Sequence, residues 1–590
     1  MKRNGKRGFT IVELVVVIAV VAILAAVLIP TFASVIRKAN VSNDVALVRN
    51  LNEGLKIEEV GGKKNDTMTD ALNVAKNYGY EVEKLTPRSS GEILWDSVNN
   101  RFALLDENGT AVYKDESKTL SSGANLWKIV NNATEAADNT EYSSYIKGNA
   151  TIATLTVTNG VDVGENKVTE LTYLNTTGTA KTVTIRTNGG NLTVKAATDT
   201  VNHYNNLTSV NVHAVASASY HEYGSVGFVS VTSGRVEVKE GAKIVTIYAA
   251  AATAKIDAAA NTVENAYAAA GVANTGNLEL DAIPEGKTIE TVKEEAENKH
   301  NAVAKVGEVY QVSLEAAFTK ALTMETAVVE IVSDIDLSAS KWSPVDTKSS
   351  TVLKELTVNG NNHVITGLNV HMAATNDPQG EPQAGASNYY GVGFFGRVDA
   401  GQKLTVNNLT FTGAEIDEDD MQSSAANHTS GVAVVVGINY GTTYLNNVNV
   451  KNSTVYGGEK VGALIGFNTT DKEGKINGGS VIDTTVTCAY YYSAIAVGMG
   501  ATKVVITDLK ILNCGNTYDS TCSYASKEYF VTENGDTCVY VDGYWMMAAW
   551  KFSVESTGGF DDEITHNNIT AKSNGHAYEY TKNGDLYSVN

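Results

Sequence analysis

Between Phe9 and Ile29 every side chain is apolar except Thr10 and Glu13. Roughly 20 residues at about 1.5 Å rise each cross the hydrocarbon core of a bilayer as one helix. Past Pro30 the apolar positions change period. Phe32, Val35, Ile36, Ala39, Val41, Val45, Val48, Leu51 and Leu55 recur at helical spacing, so the helix continues as an amphipathic one. Gly61-Gly62 stops it. The pattern then predicts a short helix over 69–77 and three strands, Glu92–Asp96, Arg101–Leu105 and Ala111–Tyr113. Asn99-Asn100 and Asp106-Glu107-Asn108-Gly109 supply the turns between them. A helix over 9–60 above a small antiparallel sheet makes an α+β head that ends near residue 115.

Residues 116–147 are polar and mixed and read as a connector, with 126–130 either a short helix or a docking strand. From Ile152 the alternation has period two. Segments 182–186, 192–195, 210–213, 226–231, 235–239 and 244–248 each alternate apolar with polar, so each has one buried face. No helix of useful length separates them, which favours stacked strands in a solenoid (148–283) over a doubly wound sheet. The alanine-rich tract 249–273 reads equally as tight coil interior or as a helical spacer. Closely interleaved charges make 284–309 a solvated linker.

A second module is expected over 310–522. Its first element, 312–322, carries Leu314, Phe318 and Leu322 on one helical face and would cap the open end of a solenoid. A repeat follows, with apolar pairs around Leu356, Phe411, Val450, Val481 and Ile511. The last four are spaced 39, 31 and 30 residues apart, with glycine-rich corners between them. These lines resemble the glug-type repeats of bacterial surface proteins, and the resemblance implies a right-handed parallel β-helix. Residues 523–590 read as a terminal cap and a polar tail. There Tyr540, Tyr544, Trp545, Trp550, Tyr578 and Tyr580 serve either a hydrophobic cap or sugar stacking. The expected architecture is therefore a long N-terminal α-helix with a small α+β head, followed by a mainly-β solenoid.

Composition narrows the partners. The chain has 46 basic and 66 acidic residues, a formal charge of −20, and loss of Lys2, Arg3, Lys6 and Arg7 with a leader takes it to −24. That argues against nucleic acid, whose phosphates need a positive face, and suits an extracellular surface. The same four basic residues hold the N-terminus on the cytoplasmic side. Cys488, Cys514, Cys522 and Cys538 cluster late in the chain. Outside the membrane they allow two disulfides in three pairings, or buried thiols. Their spacing fits no zinc site.

The apolar run is too long for a secretory signal peptide, and a plain signal anchor leaves Glu13 unexplained, because a carboxylate inside hydrocarbon costs about 2.5–3.5 kcal/mol. The motif Gly8-Phe9-Thr10-Ile11-Val12-Glu13-Leu14 resembles the N-terminal signal of type IV pilins and pseudopilins, which often carry a kinking proline where Pro30 stands. The resemblance implies a leader over 1–8, cut by a prepilin peptidase after Gly8, and N-methylation of Phe9. Glu13 then neutralises the terminal amine of a neighbouring pilin subunit. It also implies a single-pass precursor anchored through residues 9–29, then a cell-surface or pilus location. Leu94-Trp95-Asp96 with Asn100-Arg101-Phe102 resembles small pilin-like heads of low-GC Gram-positive bacteria, with Trp95 and Phe102 as core residues.

Chemistry is sparse. Glu415, Asp417, Glu418, Asp419 and Asp420 form one contiguous acidic run, whereas acid–base work on a glycosidic bond needs carboxylates converging from adjacent coils, one of them in an apolar setting. No EF-hand or phosphate-loop spacing occurs. His363, His371 and His428 read as turn residues. No catalytic residue, metal or cofactor is expected. The expected function is a minor or tip pilin-like subunit displaying an adhesive domain, with a glycan or host surface as ligand. The alternatives are a membrane-tethered polysaccharide-binding or -degrading protein and a secretion-system pseudopilin.

Overall fold

The computed structural model describes residues 10–589 apart from 82–84, 116, 176–178, 196–197, 214–218, 274–275, 373–390, 419–430, 470–471, 501–503, 513, 519–538, 542–543, 547–548, 552–564, 568–569, 574–575 and 581–585. The chain divides into two units, Met1–His300 and Asn301–Asn590.

The first unit opens with α1 (Ile11–Val60), 50 residues that run unbroken through Pro30. The head adds α2 (Met68–Asn77) and strands β1 (Glu92–Asp96), β2 (Arg101–Leu105) and β3 (Ala111–Tyr113). α2 begins on a capping box, in which the Thr67 hydroxyl accepts from Asp70 N while the Asp70 carboxylate accepts from Thr67 N. The three strands pair antiparallel in chain order. Val48, Leu51 and Leu55 of α1 close a core with Leu72, Ile93, Trp95, Phe102 and Leu104. The Trp95 and Phe102 rings meet edge to face at 5.1 Å, a favoured aromatic geometry.

The connector expected over 116–147 is ordered structure. β4 (Leu126–Val130) pairs antiparallel with β1 and parallel with β5 (Ser143–Ile146), with α3 (Ala133–Asp138) between them. Alternation there is short but sufficient: Trp127 and Val130 are each 6% exposed or less. From β5 the sheet continues without a break into β7 (Val161–Leu174) and a stack of parallel strands. That stack comprises β6 (Thr151–Val157), β8 (Thr182–Asn188), β9 (Asn191–Lys195), β10 (Thr200–His213), β11 (Ser219–Glu222), β12 (Ser225–Val238), β13 (Lys243–Ala249), β14 (Ala254–Ala258), β15 (Val263–Ala268) and β16 (Asp281–Ala282). Leu171, Leu192, Val210, Val229 and Ile247 face one another on successive strands and are all buried. The alanine-rich tract is thus strand, not helix, because Ala254 and Ile256 complete this core. Inside the stack a polar knot is also buried. His203 Nδ1 lies 2.9 and 3.0 Å from the two Glu222 oxygens, and Tyr220 Oη donates to Glu222 at 2.6 Å.

The linker expected over 284–309 holds a helix at its centre. α4 (Ile289–His300) buries Val292 and Ala296 and packs on β12 and β13. Gly227 makes room for it, since a Cβ there would stand 2.9 Å from the His300 Cβ. The charges lie on the outer face of an amphipathic helix, which local composition alone does not separate from a linker.

The second unit begins with the hairpin β17 (Ala304–Val306) and β18 (Val309–Gln311), then α5 (Leu314–Ala321) and β19 (Thr326–Ile331). Leu314 and Phe318 are buried, and the Phe318 ring packs edge to face on Trp342, Phe394 and Phe395. Short strands then return to four sheets in turn. One sheet runs from β19 through 355–359, 403–407, 442–446, 473–477 and 504–507, every neighbour parallel and in register. In the next, Ile365, Phe411, Val450, Val481 and Ile511 form one buried row, so the repeat seen in the sequence marks successive layers of strands. Asn408 and Asn447 hold corners at φ of 51° and 52°, a left-handed conformation asparagine tolerates best among side-chain-bearing residues. Beside them a ladder forms, with Asn446 Nδ2 donating to Asn407 Oδ1 at 2.8 Å and Asn407 Nδ2 to Asn359 Oδ1 at 2.9 Å.

The cysteine expectation is corrected where it falls on described residues. Cys488 and Cys514 are buried thiols and no disulfide joins them; each donates to a backbone carbonyl, Gly458 at 3.1 Å and Val481 at 3.2 Å. Burial pushes the Cys514 thiol up to about 11, so it stays protonated. The strand pattern puts both in the apolar stack interior, where a small hydrophobe is wanted. Cys522 and Cys538 lie outside the described residues.

Candidate assembly helix and its head clamp

Gly8 and Phe9 lie outside the described residues, so the geometry of the N-terminal motif begins at Thr10. Thr10 caps α1. Its backbone N and hydroxyl both donate to Glu13 Oε2 at 2.8 Å, and Glu13 N donates back to the Thr10 hydroxyl at 3.2 Å. This is a capping box. It leaves the Glu13 carboxylate at the N-terminal end of the helix, where the macrodipole favours a negative charge.

From Ile11 to Ile36 the large apolar side chains stand in the open; Val15, Ile23 and Phe32 are 57%, 67% and 59% exposed. A surface of this length and hydrophobicity is stable only in a bilayer or against other helices. Within it, the Thr31 hydroxyl returns to the Val27 carbonyl at 2.8 Å, one turn back and next to Pro30, which donates no backbone hydrogen bond. The exposed stretch ends where the head begins to cover α1, at Asp44 and Val48.

Polar side chains fasten the head to that second half. Asp44, 2% exposed, accepts from the backbone N–H groups of Arg88 and Ser89 at 2.8 Å each. Asn52, also buried, pairs with Phe102 of β2 through both amide atoms, donating to its carbonyl and accepting from its N–H at 2.8 Å each. The side chain thus takes the place of a neighbouring strand. Arg101 forks onto both oxygens of Glu59 at 2.6 and 2.7 Å. The guanidinium holds the Glu59 carboxyl below its ordinary value, and the carboxylate raises Arg101 in turn. The sequence reading places Asn52 on the helical stripe and Arg101 at the start of a strand, and gives none of these residues a clamping role. A signal for two of them was present: Asp44 and Asn52 fall on the same helical stripe as Val48, Leu51 and Leu55, where an uncompensated polar group would be costly.

The other candidate positions are dispersed. Asp417 pairs with His371 at 3.3 Å on neighbouring strands, whereas Asp419, Asp420 and His428 lie outside the described residues. His363 sits in a turn, 3.1 Å from Asp334. Among the described residues no group of His, Cys, Asp and Glu has the arrangement of a metal site.

An exposed apolar helix carrying one carboxylate near its start, with a head clamped to its far half, defines a membrane-anchored subunit that meets other subunits through that helix. Residues 3–29 match the family described as "Prokaryotic N-terminal methylation motif". The chain is 43% identical over 112 residues to the "Type IV wide pilus major component PilA4" of Thermus thermophilus, a match covering 19% of this chain and 80% of that protein. It is 32% identical over 75 residues to the "Fimbrial protein" of Moraxella nonliquefaciens, covering 12% of this chain and 49% of that protein. No solved structure matches the chain. The chain belongs to the type IV pilin family. Membership entails processing by a prepilin peptidase and assembly with other pilins, from a precursor anchored in the membrane by its N-terminal helix.

Proposed function

We propose that this chain is a minor or tip pilin that carries a large β-helical adhesive domain to the cell surface. In this reading the leader is cut between Gly8 and Phe9, the Phe9 amine is methylated, and Glu13 meets that amine on a neighbouring subunit. The region after the head, through residue 522, forms right-handed parallel β-helix, and its outer faces bind a glycan or another surface ligand without catalysis. The observation that carries the proposal is the second unit's parallel, in-register return of strands, in which Phe411, Val450 and Val481 share one row. Such stacks give long outer faces, and a passenger this large on each subunit hinders the close packing of a homogeneous shaft.

Two measurements test it. Intact mass of the protein from its native cell is expected to begin at N-methyl-Phe9; a start at Met1 would overturn the processing assignment. Expressed as the only pilin, the chain is expected to give few or short filaments, and long homogeneous ones by electron microscopy would remove the minor or tip role.

One observation favours a polysaccharide-cleaving alternative. Asp346 and Asp399 come from neighbouring strand layers, burial raises the Asp346 carboxyl, and Asp399 pairs with Arg397 at 3.1 Å. Release of reducing or unsaturated ends from glycans by the full chain, abolished in Asp346→Asn or Asp399→Asn, would establish that reading over the non-enzymatic one.

A further inference from the structure

The segment between the head and the first stack places its side chains in two cores at once. On β4, Trp127 and Ile129 pack into the core closed by α1, while Val130 belongs to the core of the stack. On β5, Tyr145 faces the first of these cores and Ile146 the second. Trp127 sits opposite Trp95 in register, and Leu126 fills a small side cluster with Leu94 and Leu105. The backbone is equally engaged. Ser97 N donates to the Asn125 carbonyl at 3.0 Å, and buried Asp96 accepts from Ser121 N at 2.9 Å.

A further side-chain bond joins the same two parts on the face of the sheet that Tyr145, the register partner of Asp162, turns to the head core. Asp162, at the second position of β7 and 4% exposed, accepts from Gly164 N at 2.9 Å and from the Thr69 hydroxyl at 3.0 Å. Thr69 lies in the first turn of α2, the head's own short helix. Close approach here depends on Gly160, where a Cβ would stand 2.5 Å from the Ser143 hydroxyl of β5.

We infer that the pilin head and the first β-stack are one rigid body, with β4 shared between their cores and the Thr69–Asp162 bond fixing the angle at which the stack is carried. A tethered passenger would sweep a wide volume around its anchor. A fused one points in a single direction set by α1, so a contact made by the stack is presented at a defined orientation and load on it enters the head through a sheet. Asp162 and Thr69 act here as positioning residues. The inference concerns the chain alone and stands whatever the stack binds.

Hydrogen exchange read by mass spectrometry on the full chain in detergent micelles tests it, together with limited trypsin digestion. Peptides covering 126–130 and 143–146 are expected to exchange as slowly as those of β1 and β7, and Lys128 and Lys147 are expected to resist cleavage. Thr69→Val, which removes a donor from a buried carboxyl group, is expected to speed exchange in α2 and the start of β7 about tenfold. Asp162→Asn keeps an acceptor for the Gly164 N–H and offers the Thr69 hydroxyl an amide donor in place of the second carboxylate oxygen, so it is expected to behave as wild type at neutral pH. Loop-like exchange over 126–146 between two protected flanks would overturn the inference, as would tryptic release of a folded head. So would a Thr69→Val protein in which exchange rises evenly over the whole chain or not at all.

Discussion

The two β regions solve one problem in different ways. In the first unit, strands of up to 14 residues each turn at one internal left-handed residue, Gly164, Asn205 or Gly234, and equivalent positions return after 18, 19 and 18 residues from Leu192 through Val210 and Val229 to Ile247. In the second unit the strands have two to nine residues, corners are made by glycine and left-handed asparagine, and Val450 to Val481 to Ile511 returns after 31 and 30. The first interior contains the His203–Tyr220–Glu222 knot and a Tyr173–Asp199 bond of 2.6 Å. The second interior is filled by aliphatic rows and phenylalanine, with its amide ladder at a corner. In the long strands the left-handed residue has strand on both sides, which masks the corner and hides the repeat. Short strands need a turn residue at each corner, and the repeat becomes visible.

That contrast can be broken most sharply in the two interiors. Phe411→Ala opens a cavity in a row with nothing to fill it and is expected to cost about 3–5 kcal/mol, read as an earlier unfolding transition of the second unit by calorimetry. Glu222→Ala strips the partner from His203, Tyr220 and the Gly224 N–H at once. It is expected to cost about 3–5 kcal/mol in the first unit. The double variant His203→Leu with Glu222→Met is expected to recover most of that loss, since a buried polar pair is often replaceable by apolar groups of similar volume. If the double variant stays as unstable as the single one, the knot specifies the stack and is not merely tolerated by it.

A smaller effect separates the head from both stacks. Asp44→Ala leaves the Arg88 and Ser89 N–H groups unpaired in a buried setting and is expected to cost about 1–3 kcal/mol. The loss should appear in hydrogen exchange of the head with the second unit unchanged. Smaller again is Asn407→Ala, which removes the middle rung of the amide ladder. It is expected to cost about 1 kcal/mol of second-unit stability and to leave the strand register intact.

Acid should weaken and strengthen different joints of the first unit. Glu59, held low by Arg101, contributes stability that is present above its ordinary value and is lost as pH falls through its lowered one. Asp162, raised mainly by burial, has the opposite sign: the folded state binds its proton more readily, so its contribution falls as pH rises through the window between its ordinary and its raised value. Thermal unfolding of wild type, Glu59→Gln and Asp162→Asn between neutral pH and pH near 3.5 is expected to show a flatter acid loss in Glu59→Gln. Asp162→Asn is expected to lose more on acidification than wild type. Parallel curves for all three proteins would remove both assignments.

Sequence alone settled what is carried by local pattern. The apolar run with Glu13, the amphipathic continuation of α1, the three head strands and the row of Phe411, Val450, Val481 and Ile511 are each written in spacings of a few residues or in a repeat. Tertiary structure decided everything that depends on a partner distant in the chain. Residues 126–146 look like a connector because their burial comes from two cores that each exist only after the chain has folded, and α4 looks like a linker because its apolar stripe is two residues wide, Val292 and Ala296. Asp44, Asn52, Asp162 and His203 are the same case in polar form: each is buried because a specific donor or acceptor some 20 to 90 positions away satisfies it. A spacing rule reads neighbours within a turn or a strand, and the free energy of a buried hydrogen bond is set by neighbours in space.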